Sequence, residues 1–178
     1  RAIVVRALSE DLSTVKLEDV TIASPAKGQV KVRLRAGSVN FPDILMVQGK
    51  YQHKPELPYT SGMEGAGDVI EVGEGVTAFK PGDRVIVGGK EGCFADEIVL
   101  PAMAVRPLPD GVSYEHGASF RAAYLTDYVA LVRRGMLQKG ETLLVHGAAG
   151  GVGLAAVDLG KVLGATVIAT ASTEEKRE

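Results

Sequence analysis

The sequence predicts a mixed fold: a β domain, barrel or sandwich, over roughly the first 110 residues, followed by an α/β unit with a parallel sheet. Three observations predict it. Short apolar runs of period two, closed off by glycine and proline, fill the first hundred residues. Helical spacing begins after Pro109. The stretch LLVHGAAGGVGLAAVDLGKVLGATVIAT, Leu143 to Thr170, reads as strand, glycine turn, helix and strand.

The elements follow in chain order. QVKVRLRAGSV alternates Val30, Val32 and Leu34 with Lys31, Arg33 and Arg35, which suits a half-buried strand. NFPDILMVQG interrupts the β pattern with a helix. Asn40 is its N-cap, Pro42 and Asp43 lie in the first turn, and Gly49 stops it. AGDVIEVGEGV, GDRVIVGG and FADEIVLP are further strands, separated by turn chemistry at Gly73-Glu74-Gly75 and Pro81-Gly82-Asp83. Many short strands at close spacing mean a barrel or a sandwich. SYEHGASFRAAYLTDYVALVRRG is a helix that ends at Arg133, Arg134 and Gly135. A strand over 142–146, a turn over 147–151, a helix over 152–163 capped by Gly164 and a strand over 165–170 complete the reading. Val152, Ala155, Leu159 and Val162 form one helix face, taken as the buried one.

Composition excludes several classes. The chain has 178 residues, is 46% hydrophobic and 24% charged, and carries a net charge of -2. That balance supports a buried core and offers no electrostatic basis for binding nucleic acid. No run of 18 apolar residues and no signal-peptide pattern occurs, so the expectation is a cytoplasmic protein without a membrane partner. Cys93 is the single cysteine, which rules out an intrachain disulfide and a cysteine-cluster zinc site.

The glycine turn carries the chemistry. Gly147, Gly150 and Gly153 are spaced G-x-x-G-x-x-G, and the dinucleotide pattern falls on Ala148, Gly150 and Gly153 with alanine at its first position. Gly150 would let the backbone approach a pyrophosphate, and Gly153 would let helix and strand pack closely. The helix N-terminus would present free N–H groups to the phosphates. The bland alternative is a crowded strand-to-helix turn. An NAD site expects an acidic residue near the end of the second strand, but IATAS, Ile168 to Ser172, has none. Ser172, Lys176 and Arg177 suit a 2′-phosphate, so NADPH is expected over NADH. Lys176 and Arg177 also read as a solvated helix face.

NFPDILMVQGKY, LPYTSGMEGAGDVIEVGEGVTAFKPGDRV and the glycine-turn segment, in this order and at these separations, resemble the medium-chain dehydrogenase/reductases. Within them the chain is most similar to the zinc-free quinone oxidoreductase branch that includes ζ-crystallin. The resemblance implies a GroES-like, partly open β-barrel catalytic domain over residues 1–120 and the start of a Rossmann domain over 121–178. It also implies further strands after Glu178 and a return to the catalytic domain, so that the 178 residues alone would be inactive. A homodimer is implied for the full-length protein.

Departures from the zinc-dependent relatives matter as much. Where those carry a cysteine ligand this chain has Asn40, and where they carry Gly-His-Glu it has Gly62-Met63-Glu64. An amide and a thioether are poor zinc ligands, so no metal is expected. Asp43 then reads as a cap or salt-bridge residue and Glu64 as structural. By resemblance, Asn40 and Thr126 lie near the nicotinamide, Ala148, Ala149, Gly150, Gly151 and Val152 hold the pyrophosphate, and Tyr51 lines the substrate cleft as a hydrogen-bond or proton donor. Tyr59 is a second candidate, and a packed ring is the alternative for both. His53, His116 and His146 match no catalytic pattern, and His146 reads as structural. The implied activity is hydride transfer from NADPH to a quinone or another α,β-unsaturated carbonyl. An enoyl reductase acting on acyl-CoA or polyketide chains is the alternative enzyme. A non-enzymatic protein that keeps the cofactor fold is the other alternative.

Overall fold

The computed structural model describes residues 1–177, which form two compact units, Arg1–Ser119 and a second that begins at Phe120. In the first unit the strands are β1 (Ala2–Val5), β2 (Val15–Glu18), β3 (Gln29–Ser38), β4 (Tyr59–Thr60), β5 (Glu64–Val72), β6 (Arg84–Gly88), β7 (Glu97–Pro101) and β8 (Val105–Pro107). Helix α1 (Phe41–Val47) follows β3. A five-stranded antiparallel sheet runs β7-β3-β5-β6-β8, and a three-stranded one runs β2-β1-β4. Strand β1 joins the two: Ile3 N–H donates to Phe94 O at 2.7 Å, and Asp96 N–H donates to Arg1 O at 2.8 Å. Strand β1 thereby links the two sheets into one β domain.

Alternation explains the core. Val30 and Val32 on β3, Val69 on β5, Val85 and Val87 on β6, Leu100 and Val105 point inward with Cys93 and are all buried. Each such aliphatic side chain contributes about 1.5–3 kcal/mol of transfer free energy. A smaller cluster of Val5, Met46, Val47 and Tyr59 seats α1 against the three-stranded sheet.

Helix α2 (Tyr114–Asp127) starts at a polar anchor. The Tyr114 hydroxyl donates to Asp68 Oδ1, the Arg35 Nε–H donates to Asp68 Oδ2 at 2.8 Å, and the Arg84 guanidinium lies 4.6 Å over the Tyr114 ring. The expected single α-helix through Arg134 is not what forms. From Tyr128 to Arg134 the chain makes a π turn, closed by Gly135 N–H donating to Ala130 O at 2.7 Å. Gly135, the expected end of the helix, caps this turn in right-handed geometry (φ -75). A Cβ there would lie 3.0 Å from Ala130 O and 3.1 Å from Leu131 O, a tight fit against backbone.

The second unit contains β9 (Thr142–His146), α3 (Gly151–Val162) and β10 (Thr166–Thr170), with β9 and β10 parallel from Thr166 opposite Thr142 to Thr170 opposite His146. This is the β-α-β unit that the glycine pattern predicts, and it fits the start of a Rossmann sheet. The buried face of α3 keeps Ala155 of the expected set but not all of it. It runs through Ala155, Ala156 and Gly160, whereas Val152 and Val162 are exposed. Small residues win because the helix lies close to the strands: a Cβ on Gly160 would stand 2.7 Å from Leu143 Cδ2 and 3.0 Å from Val167 Cγ2. Val167 accordingly packs against the Val145–Ala148–Ala156 cluster, whereas Ile168 and Leu144 on the other sheet face are exposed. Among the described residues no helix is long and apolar enough to cross a membrane.

Candidate functional site

In the first unit the sequence-predicted residues gather where β3 hands over to α1. Asn40 is extended (φ -115, ψ 155) and caps the helix position, with its own N–H donating to Asp43 Oδ2 at 2.8 Å. Its side-chain amide turns the other way and donates to Glu64 Oε1 at 2.9 Å and Ser38 O at 3.3 Å. Antiparallel pairing sets Ser38 opposite Glu64, which brings these groups together. Asp43 and Glu64 are both buried. Burial pushes the Asp43 carboxyl above the usual carboxylate range; the neighbouring Glu64 charge adds to this, and backbone N–H groups oppose it. Asp43 is therefore a helix-cap residue, as one of its two readings anticipates.

Met63 and Tyr51 pack against the Val5–Met46–Val47–Tyr59 cluster. Tyr59 is buried within that cluster, and its hydroxyl is buried without a hydrogen-bond partner. Burial, then the charges of Asp43 and Glu91, push this phenol above its usual range. His53 Nε2 lies 2.6 Å from Glu91 Oε2. The amide–carboxylate pair at Asn40 and the thioether in an apolar cluster do not make a zinc site. Among the described residues no three His, Cys, Asp or Glu side chains converge as metal ligands.

In the second unit the glycine turn faces a groove of about 500 Å³, lined by Gly147, Gly150, Gly151, Val152 and Gly153 with His146, Asp127, Leu131 and the β9 residues Leu143 to Val145. The turn is built by three constraints. Gly147 takes φ +66, which favours glycine, and Ala148 N–H donates to Thr170 O at 3.0 Å, tying the turn to the end of β10. Gly153 is obligatory: a Cβ there would sit 2.3 Å from Gly147 O and 2.7 Å from Ala148 Cα. At Gly151 a Cβ would meet nothing within 4 Å, and at Gly150 only Gly147 O at 3.6 Å. Space is thus left open on the groove side, and the first N–H groups of α3 have no intrahelical acceptor. The turn therefore offers backbone N–H groups and free space on the groove side.

Not every expected cofactor residue lies on the groove. Ala148 turns its methyl into the buried cluster with Val145 and Ala156. Thr126 is exposed, and its hydroxyl donates to Ala122 O at 2.7 Å. Ser172 and Lys176 are exposed beyond β10. His146 lines the groove, with Nδ1 3.1 Å from Thr170 Oγ1. Asp127 also lines it, and sequence reasoning missed it, because one acidic residue within a helix carries no pattern.

The alcohol dehydrogenase GroES-like domain family matches residues 26–110. The human synaptic vesicle membrane protein VAT-1 homolog is 44% identical over 164 residues, which cover 90% of this chain and 42% of that protein. The quinone oxidoreductase-like protein 2 homolog of Nematostella vectensis is 47% identical over 150 residues, 83% of this chain and 41% of that protein. Among solved structures, the quinone oxidoreductase of Thermus thermophilus, studied alone and in complex with NADPH, superposes with a TM-score of 0.86 at 34% identity, covering 98% of this chain and 54% of that one. The JamJ enoyl reductase superposes with a TM-score of 0.84 at 29% identity, covering 96% and 54%. The chain spans less than half the length of these two curated relatives. With two sheets joined through β1, a parallel β-α-β unit and a glycine-rich strand-to-helix turn, the chain carries the GroES-like domain and is similar over most of its length to part of the quinone oxidoreductase-like members of the medium-chain dehydrogenase/reductase superfamily.

Proposed function

We propose that this chain is part of an oxidoreductase that uses NADPH to reduce a quinone or another α,β-unsaturated carbonyl without zinc. The observation that carries the reading is the glycine turn: Gly153 is forced by packing, and Gly150 and Gly151 are open toward the groove. Residues 1–120 serve as the catalytic domain and 121–178 as the start of the nucleotide-binding domain, in a full-length protein that dimerises. The nicotinamide supplies a hydride when bound. Gly150, Gly151 and Val152 present N–H groups to the pyrophosphate, with Ala148 and Ala149 shaping the turn. Ser172 and Lys176 take the 2′-phosphate, because no acidic residue stands at the end of β10. Thr126 and Asn40 orient the nicotinamide end. Tyr51 donates a hydrogen bond or proton to the acceptor oxygen, and Tyr59 is the second candidate. Conjugation in the acceptor spreads the developing charge, so a Lewis acid is not needed.

The test is turnover by the full-length protein with NADPH and p-benzoquinone, run beside an enoyl thioester. Faster reduction of the quinone supports this reading. The likeness to an enoyl reductase favours a second reading, in which the thioester is the better substrate. No turnover with either acceptor, despite NADPH binding, points to a non-enzymatic role.

A further inference from the structure

We propose that Asp127 is a nucleotide-contacting residue whose carboxyl donates a hydrogen bond to a pyrophosphate oxygen in the glycine-turn groove. The inference rests on the reading of that groove as the nucleotide site. Asp127 is the last residue of α2, is 4% exposed, and lines the same groove as Gly150, Gly151 and the first turn of α3. Its Oδ2 is buried and has no hydrogen-bond partner. A buried polar atom without a partner costs about 1–3 kcal/mol, so a group of this kind beside a ligand groove is completed by the ligand. Fold stability gives no reason to hold a carboxyl here.

The chemistry follows from the surroundings. Tyr124, one turn back on α2, donates its hydroxyl to Asp158 Oδ2 on α3 at 2.8 Å, so that carboxylate is already occupied. His146 on β9 shares the groove, with its Nδ1 toward Thr170. Leu131 from the π turn is apolar. Among the described residues no ion pair to Asp127 forms, and burial pushes its carboxyl above the usual range. The protonated form is a donor that suits a phosphate oxygen. The ionised form would set a negative charge beside one. Nucleotide affinity should therefore fall as pH rises through the Asp127 pKa.

The experiment is NADPH titration by fluorescence on the full-length protein from about pH 4, near the ordinary aspartate range, to about pH 8, with Asp127→Asn, Asp127→Ala and Gly150→Glu. Asp127→Asn keeps a donor and nearly the same shape. It should bind within about threefold of wild type at the acid end and lose the part of the pH dependence due to Asp127. Asp127→Ala should bind about tenfold more weakly at the acid end, the effect of one lost charge-assisted hydrogen bond. If the alanine variant does not fold, the difference between the wild-type and asparagine pH profiles still decides. Gly150→Glu should abolish binding. Should it do so while both Asp127 variants match wild type at every pH, the Asp127 proposal fails and the groove reading stands. Tighter binding by Asp127→Ala at every pH would make the carboxyl a mere repelling charge and overturn the proposal. Unchanged binding by Gly150→Glu, or no NADPH binding by wild type, would remove the groove reading and this inference with it.

Discussion

Replacing Gly153 with alanine separates what the fold requires from what a nucleotide requires. The added methyl would lie 2.3 Å from Gly147 O, about 1 Å inside ordinary contact, and 2.7 Å from Ala148 Cα. Both obstacles are backbone, so they cannot rotate away. The helix gains about 1 kcal/mol from the better propensity of alanine. Overpacking against fixed backbone costs about 1–3 kcal/mol, and more where a turn must move. The sum is a net loss of up to about 2 kcal/mol, and more where the turn must move. Gly151→Ala makes the opposite case. Nothing lies within 4 Å of its Cβ, so the fold should be unharmed, while the methyl enters the space assigned to the pyrophosphate. Thermal unfolding and NADPH titration of both variants in the full-length protein give the comparison. Gly153→Ala should lower both Tm and affinity, and Gly151→Ala should lower affinity alone. Equal Tm for Gly153→Ala and wild type would refute the packing argument. Unchanged affinity in Gly151→Ala would refute the cradle.

Three further outcomes are expected. Ala171→Asp should weaken NADPH relative to NADH by placing a carboxylate near the 2′-phosphate, and Lys176→Ala should remove a charge-assisted contact worth about 1.5–3 kcal/mol; equal Michaelis constants for the two cofactors in all three proteins would contradict this. Asp43 and Asp68 should act on stability in opposite pH directions. The raised Asp43 stabilises the fold fully below its unfolded pKa, and this is lost as pH rises through the folded value, so Asp43→Asn should flatten a Tm decline toward neutral pH. Asp68 is opposed by burial but held low by hydrogen bonds from Tyr114 and Arg35, so its contribution is present above the unfolded pKa and lost in acid; a cost of Asp68→Asn that persists at low pH would contradict that assignment. Asn40→Ala removes a donor to the buried Glu64 carboxyl and should cost about 1.5–3 kcal/mol, readable by denaturant titration.

Much of the fold was legible because period and punctuation agreed. The alternation of Val30, Val32 and Leu34 gave β3, Asn40 before Pro42 and Asp43 gave α1, and the glycine turn between two apolar runs gave β9, α3 and β10. Strands as short as β4 and β8, at 2 and 3 residues, leave no period to read. The buried face of α3 escaped because hydrophobicity favours Val152 and Val162, whereas close helix–strand approach favours Ala155, Ala156 and Gly160. The π turn escaped because hydrogen-bond register is not written in residue type. At the first-unit site, the place of Asn40 at the start of α1 was readable from Pro42 and Asp43. The partner of the Asn40 amide was not, since the Glu64 contact depends on the register of β3 against β5.

The π turn has a consequence for how this lineage tolerates changes of length. A stretch closed by i to i+5 hydrogen bonds holds about one more residue per turn than an α-helix of the same reach. Residues 128–134 therefore act as slack in the chain. A single-residue deletion among the exposed positions Tyr128, Val129 and Ala130 can be absorbed by tightening to α geometry, leaving α2 and β9 in place. The same deletion inside β9 would reverse every side chain after it, sending Val145 to solvent and His146 into the core. Natural and engineered length variation in this unit should therefore concentrate in that one turn.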